Sequence, residues 1–221
     1  MGQLNQRLVY RNAFRSMVKA GVNPGQAILS QSYLRLERVL QTSVTSYQFG
    51  VLVNDVPGGQ SSVRPSERRL ALQDSFFVSS IQLFVYNTTN ATDTDAVFQT
   101  YPSPTYFGAT QGQALYQLYN GYLNLQVNNR VITPAWDLYR HMVAPQTQQT
   151  VTPIASGVAV NQFDGTTYGE YACEPNWVLI GSKNNLLTIN LPNAISSLKT
   201  GTNVVALVLR GVLAQNSTQV S

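Results

Sequence analysis

His141 is the only histidine of the chain, and it lies four residues after Asp137 in the stretch PAWDLYRHMV. On a helix, residues i and i+4 share a face, so this carboxylate could orient the imidazole as it does in a Ser–His–Asp triad. The chain has no Gly-x-Ser-x-Gly elbow that would present a nucleophile beside such a pair. We therefore interpret His141 as a packed or hydrogen-bonded structural residue, and a hydrolase that uses Asp137 and His141 is the lesser alternative.

Acidic and aromatic residues also lie close together in the stretch DGTTYGEYACEPNW. The acids are Asp164, Glu170 and Glu174, and the aromatic residues are Tyr168, Tyr171 and Trp177. A pair of carboxylates is what glycoside hydrolysis requires, and neighbouring aromatic rings suit a sugar ligand. We favour solvated acids in a tyrosine-rich loop. Two alternatives stay open: a glycoside hydrolase that uses the acids, and a carbohydrate- or receptor-binding module that uses the aromatic residues.

Metal and cofactor chemistry finds little support in the sequence. A structural zinc site needs four ligands of the cysteine and histidine type, and the chain offers one cysteine, Cys173, and one histidine. No P-loop, no Gly-x-Gly-x-x-Gly fingerprint and no EF-hand loop is present. A single cysteine also rules out an internal disulfide. We predict a protein that is not an enzyme and has neither cofactor nor metal.

The composition favours a protein that packs against copies of itself. Charged residues make up 11% of the 221 residues, against about 25% in an average soluble protein. Hydrophobic residues make up 43%, which is enough for one sizeable core. Uncharged polar residues replace the missing charge, and charged residues are depleted at the centre of protein interfaces. A stable β-domain with a bland surface is the alternative.

A basic amphipathic helix is predicted over residues 3–20, where Gly21 and Pro24 supply the signals that end it. Basic residues recur every four positions and form one stripe: Arg7, Arg11, Arg15 and Lys19. We expect an apolar strip on another face, formed by Tyr10, Phe14, Met17 and Val18.

Positive charge is concentrated in this N-terminal part of the chain. Residues 1–40 contain six basic residues and one acid, whereas the other 181 residues contain eight basic and nine acidic ones. Cations in one stripe can neutralise phosphates, and without a base-reading motif such binding is non-specific. We predict an arm that contacts nucleic acid or a neighbouring subunit, as in a shell protein, with an ordinary solvated helix face as the alternative.

The rest of the chain has the texture of strands. We predict about eight to ten strands, with a tight hairpin at Asn128-Asn129, and with Leu123, Leu125 and Val127 pointing into the core. We expect residues 101–113 to form a loop and PAWDLYRHMV to form a short helix anchored by burial of Trp136 and Tyr139.

These patterns predict an all-β fold: an antiparallel β-sandwich, jelly roll or barrel with a short helical N-terminal arm. We place the arm at residues 1–30 and the β-domain at residues 31–221. No apolar run approaches the length of a membrane span, and no secretory leader is predicted.

Four stretches of the sequence resemble a known class of proteins: RRLALQDSFFVSSIQLFVYN, LYNGYLNLQVNNRVITPAWDLYRHMVAPQTQ, NWVLIGSKNNLLTINLP and NVVALVLRGVLAQ. They are similar to capsid proteins of icosahedral bacteriophages, especially environmental phages of Bacteroidota-type hosts. The likeness covers about residues 30–215 and concerns the texture and order of the segments, without a signature motif.

This resemblance implies a virion protein that is made in the host cytoplasm and forms a jelly-roll coat subunit, with one roll in each chain. Its implied partners are copies of itself in a closed shell, other virion proteins and the phage genome. An auxiliary or cementing role in a capsid remains the alternative. The resemblance carries over no catalytic residue.

Overall fold

The computed structural model of the protein describes residues 3–51, 70–88, 97–144 and 169–217, and of residues 3–6 it describes the backbone alone. Three α-helices are present in these ranges: α1 (Gln3–Lys19), α2 (Pro104–Phe107) and α3 (Ala109–Tyr119). The same ranges contain eight strands: β1 (Ile28–Val39), β2 (Ser46–Gly50), β3 (Ser75–Thr88), β4 (Tyr122–Val127), β5 (Arg130–Asp137), β6 (Tyr171–Ile180), β7 (Asn185–Asn190) and β8 (Thr202–Gln215).

The eight strands form two antiparallel sheets of four. The first sheet has the order β1-β8-β3-β6 and the second has the order β2-β7-β4-β5. The hydrogen-bonded pairs thus include β1 with β8, β2 with β7, β3 with β6 and β4 with β5. This pairing arises when one long antiparallel ribbon is wrapped around a core, which is the strand order of a jelly roll. The predicted antiparallel β-sandwich is confirmed.

The core lies between the sheets and follows the two-residue alternation of the strands. Phe76, Val78 and Leu83 of β3 point into it, and Phe49 and Trp177 enter it from the second and first sheets. The bulge at Ser79 shifts the register of β3 once along its length. Strands β3 and β8 are central and buried on both faces, because other segments cover the outside of their sheet.

Helix α1 covers one end of that outer face. Its residues Ala13 and Met17 are fully buried. They belong to a small cluster with residues of the sheet: Phe77, Ile180, Val212 and Ala214. At the other end of the face, the ring of Phe98 packs 5.2 Å from Phe84 and 5.1 Å from Tyr86, measured between ring centroids.

The apolar strip predicted for the helix is only partly correct. Met17 faces the sheet and Tyr10 packs beside it, as expected. Phe14 and Val18 instead remain 42% and 52% exposed. At about 100° of rotation per residue, Phe14 lies about 100° and Val18 about 140° around the helix axis from Ala13, so the sheet leaves both partly uncovered.

The Asn128-Asn129 hairpin is confirmed. Both residues have positive φ angles, 49° and 64°, as a two-residue type I′ turn requires. The side chain of Asn128 also accepts a 2.8 Å hydrogen bond from the backbone N–H of Asn184, which ties the hairpin to the turn between β6 and β7. Leu123 and Leu125 are buried in the core, and Val127 packs at its border.

The prediction of a loop over residues 101–113 is wrong, since α2 and the first five of the eleven residues of α3 lie there. Pro104 occupies the first turn of α2, where proline is tolerated, and Gly108, with φ of 93°, separates the two helices. Buried Leu115 and Leu118 then hold α3 against the core, and this packing outweighs the weak helix propensity of its glycine and tyrosines.

The prediction of a helix in PAWDLYRHMV is also wrong. This segment is the end of strand β5 followed by one 3₁₀ turn, Tyr139–His141. Pro134 fits the strand because β5 is an edge strand paired with β4 alone. Trp136 is buried as expected, whereas Tyr139 is 57% exposed, so its predicted burial is wrong.

None of the described helices combines the length and the apolar character that crossing a bilayer demands.

Candidate functional site

The basic residues of α1 form a continuous stripe on the outside of the molecule. All four side chains are exposed: Arg7, Arg11, Arg15 and Lys19. The helix contains no acidic residue over its whole length. Because Ala13 and Met17 fix the opposite side of the helix to the sheet, the stripe is directed away from the sandwich.

Apolar side chains are interleaved with these cations. Leu8 and Val18 are about half exposed, and Phe14 is slightly less exposed. All three share the outward side of α1 with the basic stripe. Viewed along the helix axis, with about 100° of rotation per residue, Val18 lies at an angle between those of Arg7 and Arg11. We call these seven residues together the outer α1 face. Sequence reasoning found its cations and misplaced two of its apolar members, because spacing alone did not show which side the sheet would bury.

The two stretches that sequence reasoning treated as separate candidate sites contact each other. His141 is fully buried, and its Nε2 atom accepts a 2.8 Å hydrogen bond from the indole N–H of Trp136. Its Nδ1 atom lies 2.7 Å from the carbonyl oxygen of Gly169, and because a carbonyl can only accept, Nδ1 carries the proton. The ring also packs edge-on against Tyr171 at 5.5 Å.

This environment keeps His141 neutral. The pKa of His141 is lowered to about 4, and burial is the largest cause. The hydrogen bond to Gly169 acts in the opposite direction and raises the pKa. The charge of Arg140 lowers it further, and the charge of Asp137 raises it. Both ring nitrogens are already engaged with protein atoms, so neither is free to accept a proton from a nucleophile. His141 is therefore a buried, hydrogen-bonded residue that joins Trp136 to Gly169, which agrees with the interpretation from the sequence.

Asp137 does not orient the imidazole. Its Oδ1 atom accepts a 3.1 Å hydrogen bond from the backbone N–H of Tyr139 and caps the turn at the exit of β5. The predicted meeting of Asp137 and His141 on one helix face is wrong, because a strand and a 3₁₀ turn replace that helix.

The second candidate set is divided between different surroundings. Glu170 accepts a hydrogen bond from Ser80 and lies 3.6 Å from Nε of Arg210, on the outer face of the first sheet. Glu174 is exposed. Asp164 and Tyr168 lie outside the described residues, so the structure does not place them.

The aromatic residues of that set differ in exposure. Trp177 is 2% exposed and packs 5.6 Å from Trp136 inside the core, so its ring presents no face to a ligand in solution. Tyr171 is 41% exposed, and the guanidinium of Arg140 lies 5.7 Å from its ring centre.

Metal ligands do not converge in the part of the chain that the structure describes. No group of three or more His, Cys, Asp or Glu side chains there could hold an ion. Cys173 is buried, and burial raises the pKa of its thiol to about 12. Burial therefore favours the protonated thiol over the thiolate that binds metal or attacks a substrate.

The outward side of the second sheet is a feature that sequence reasoning did not locate. Strands β2, β4 and β7 contain no charged residue. Their core-facing residues are apolar, and their other positions are mainly amides and hydroxyls: Ser46, Gln48, Asn124, Gln126, Thr188 and Asn190. The outward side of these three strands is thus one broad surface without charge. The alternation within each strand could have shown this once the strands were known.

Comparisons with protein-family profiles, curated proteins and solved structures gave no match to this chain.

Proposed function

We propose that the protein is a structural capsid subunit that assembles with copies of itself into a closed shell around a phage genome. One observation carries this proposal: each chain forms a single eight-stranded jelly roll with sheets β1-β8-β3-β6 and β2-β7-β4-β5. This architecture recurs in viral capsids, and it is also used by lectins and cupins. Fold alone does not decide between these functions, so the sites must.

The described residues support a shell protein better than the other two uses of the fold. A metal-dependent enzyme of the cupin type needs ligands inside the roll, whereas this interior is filled by apolar residues such as Phe49 and Trp177. His141, the one residue there that could bind a metal through nitrogen, has both ring nitrogens engaged. A lectin needs accessible aromatic rings, and burial of Trp177 removes one of the three that the sequence suggested.

The uncharged outer side of strands β2, β7 and β4 suits lateral contacts between subunits. Burying amides and hydroxyls against a neighbour involves less desolvation than burying charges. In a closed symmetric shell, one such surface is used many times, so each contact can be weak. The outer α1 face projects from the other sheet and would then lie on one surface of the shell, towards its contents or a neighbouring subunit. Other virion proteins and the genome are the proposed further partners.

Negative-stain electron microscopy of the purified protein, with sedimentation at low and high salt, tests self-assembly. We expect closed particles, sheets or regular capsomers. Introducing lysine at Gln48 and Gln126 should abolish them by placing charge on the second sheet. Lysine at Gln113, an exposed position of α3, serves as the matched control. A dispersed monomer in every condition would contradict a self-assembling coat and favour an auxiliary capsid protein that needs a preformed shell.

A receptor-binding module of a virion is a second candidate, because Tyr139 and Tyr171 are exposed and Arg140 lies against the Tyr171 ring. Exposed aromatic rings beside a guanidinium suit a glycan. Glycan-array binding that is lost on Tyr171→Ala, together with absence of particles, would favour this candidate over the shell.

A further inference from the structure

The outer α1 face combines two properties that single out one kind of partner. It carries four cations and no acid, so it attracts a negatively charged surface. It also exposes three apolar side chains, Leu8 at 51%, Phe14 at 42% and Val18 at 52%. The helix is already attached to the sheet through its opposite side, so these apolar residues are not needed to hold it in place.

The seven residues offer a lipid surface two kinds of contact on the same side of the helix. Seen along the axis, the apolar residues are interleaved with the cations. Long basic side chains can extend sideways to reach charged groups while apolar neighbours insert between them. Amphipathic helices at lipid surfaces use this combination of apolar insertion and attraction to anionic headgroups. The seventeen-residue helix carries all seven residues along one side, where they can contact the same surface.

We propose that the outer α1 face binds the surface of a membrane that contains anionic lipids, with the helix axis parallel to the bilayer. Leu8, Phe14 and Val18 enter the boundary between headgroups and acyl chains, and the four cations contact lipid phosphates. The sandwich stays on the aqueous side. The proposal does not depend on shell formation. If the shell also forms, its α1 side faces the lipid and many weak contacts act together.

Nucleic acid is the partner that the basic stripe alone suggests, and the apolar residues argue against it. Aliphatic side chains such as Leu8 and Val18 gain little from a charged, hydrated phosphate backbone, whereas contact with acyl chains removes their surface from water. A second copy of the chain is also a poorer match. Among the described residues, the exposed carboxylates are Asp137 and Glu174, which belong to different strands and form no acidic groove.

Flotation of the full chain with unilamellar vesicles tests the proposal. One set of vesicles contains phosphatidylcholine alone, and the other contains phosphatidylcholine with phosphatidylglycerol. We expect binding to the anionic vesicles that weakens as salt rises. Replacing Leu8, Phe14 and Val18 by glutamine should reduce binding about tenfold, and so should replacing the four cations by glutamine. Glutamine at Val97, Val131 and Ile132, which are similarly exposed apolar residues elsewhere, is the matched control and should bind as the wild type does.

Insertion can be measured directly with Phe14→Trp in vesicles that contain brominated acyl chains. We expect quenching and a blue shift that Val97→Trp does not show. Absence of binding to anionic vesicles would overturn the proposal. So would binding to a single-stranded oligonucleotide that exceeds vesicle binding and is unchanged by the apolar triple variant, which would assign the face to nucleic acid. Particle formation in the microscope is a separate readout, so failure here leaves the shell proposal standing.

Discussion

The indole N–H of Trp136 donates a 2.8 Å hydrogen bond to Nε2 of His141, and both side chains are buried. Through Nδ1, the same imidazole holds the carbonyl of Gly169 at 2.7 Å. His141 therefore connects the end of β5 to the residues that enter β6, and it does so only as a neutral ring with its proton on Nδ1. This connection gives the lone histidine of the chain a structural role.

Replacing His141 by phenylalanine should destabilise the protein by about 2–5 kcal/mol, because the Trp136 N–H and the Gly169 carbonyl both lose their partner in a buried site. Urea unfolding measures the change. The neighbouring exposed substitution Tyr139→Ala should cost less than about 0.5 kcal/mol. Equal stability of the wild type and the His141→Phe variant would show that the two hydrogen bonds contribute nothing.

The protein should lose stability as the pH falls through the range set by His141. In the folded protein the pKa of this residue is about 4, below its ordinary value of 6.5, so below that ordinary value the unfolded chain binds a proton that the folded chain does not. The contribution of this group to the free energy of unfolding is therefore fully present above pH 6.5. It is lost as the pH falls towards the pKa of about 4 that His141 has in the folded protein. From pH 7 to pH 5 the loss amounts to about 2 kcal/mol.

Urea unfolding at several pH values in this range checks the prediction, with the His141→Phe variant as the control. This variant lacks the titrating ring. Between pH 7 and pH 5 its free energy of unfolding should therefore fall by about 2 kcal/mol less than that of the wild type. Parallel pH profiles of the two proteins would mean that His141 titrates normally in the folded state.

Local patterns predicted the fold class and several elements because those elements depend on neighbours in the sequence. The Asn128-Asn129 turn is determined by two residues that tolerate positive φ, and α1 by a run of good helix formers between clear limits. The helix at Ala109–Tyr119 was missed because its stability comes from burial of Leu115 and Leu118 against distant strands. Propensity reasoning has no access to such packing.

The candidate sites show the same division. The basic stripe follows from the spacing of four cations, and the structure confirms that all four are exposed on α1. Phe14 and Val18 lie beside this stripe because another side of the helix packs against Phe77 and Val212. The local sequence does not indicate which side of the helix is buried. Likewise, the contact between His141 and Gly169 joins two segments that are far apart in the chain, so spacing could not reveal it.

Gly169 and Gly21 form a matched pair that separates backbone strain from collision. Both have positive φ, 74° and 81°, so alanine costs about 1 kcal/mol at either position. A Cβ atom on Gly169 would collide with the carbonyl oxygen of His141, whereas one on Gly21 would meet no atom within 4 Å. Gly169→Ala should therefore cost about 1–3 kcal/mol more than Gly21→Ala in urea unfolding. Equal costs would show that the His141 turn can move aside.

Met17 and Val18 test whether α1 is an integral part of the β-domain or an independent arm. Met17 is fully buried against the first sheet, and its neighbour Val18 is 52% exposed. Met17→Ala leaves a cavity under the helix and should destabilise the protein by about 2–4 kcal/mol. Val18→Ala removes a side chain that the sheet does not touch and should cost less than about 0.5 kcal/mol.

Urea unfolding and amide hydrogen exchange of residues in α1 measure both variants. If α1 is docked as the structure shows, Met17→Ala lowers the global stability and the protection of α1 amides together, and Val18→Ala changes neither. If the two variants behave alike, the helix is an arm whose contacts with Phe77 and Val212 add no stability. The membrane proposal would then need to be tested with the helix free to move, because the sheet would no longer fix which side of α1 faces outward.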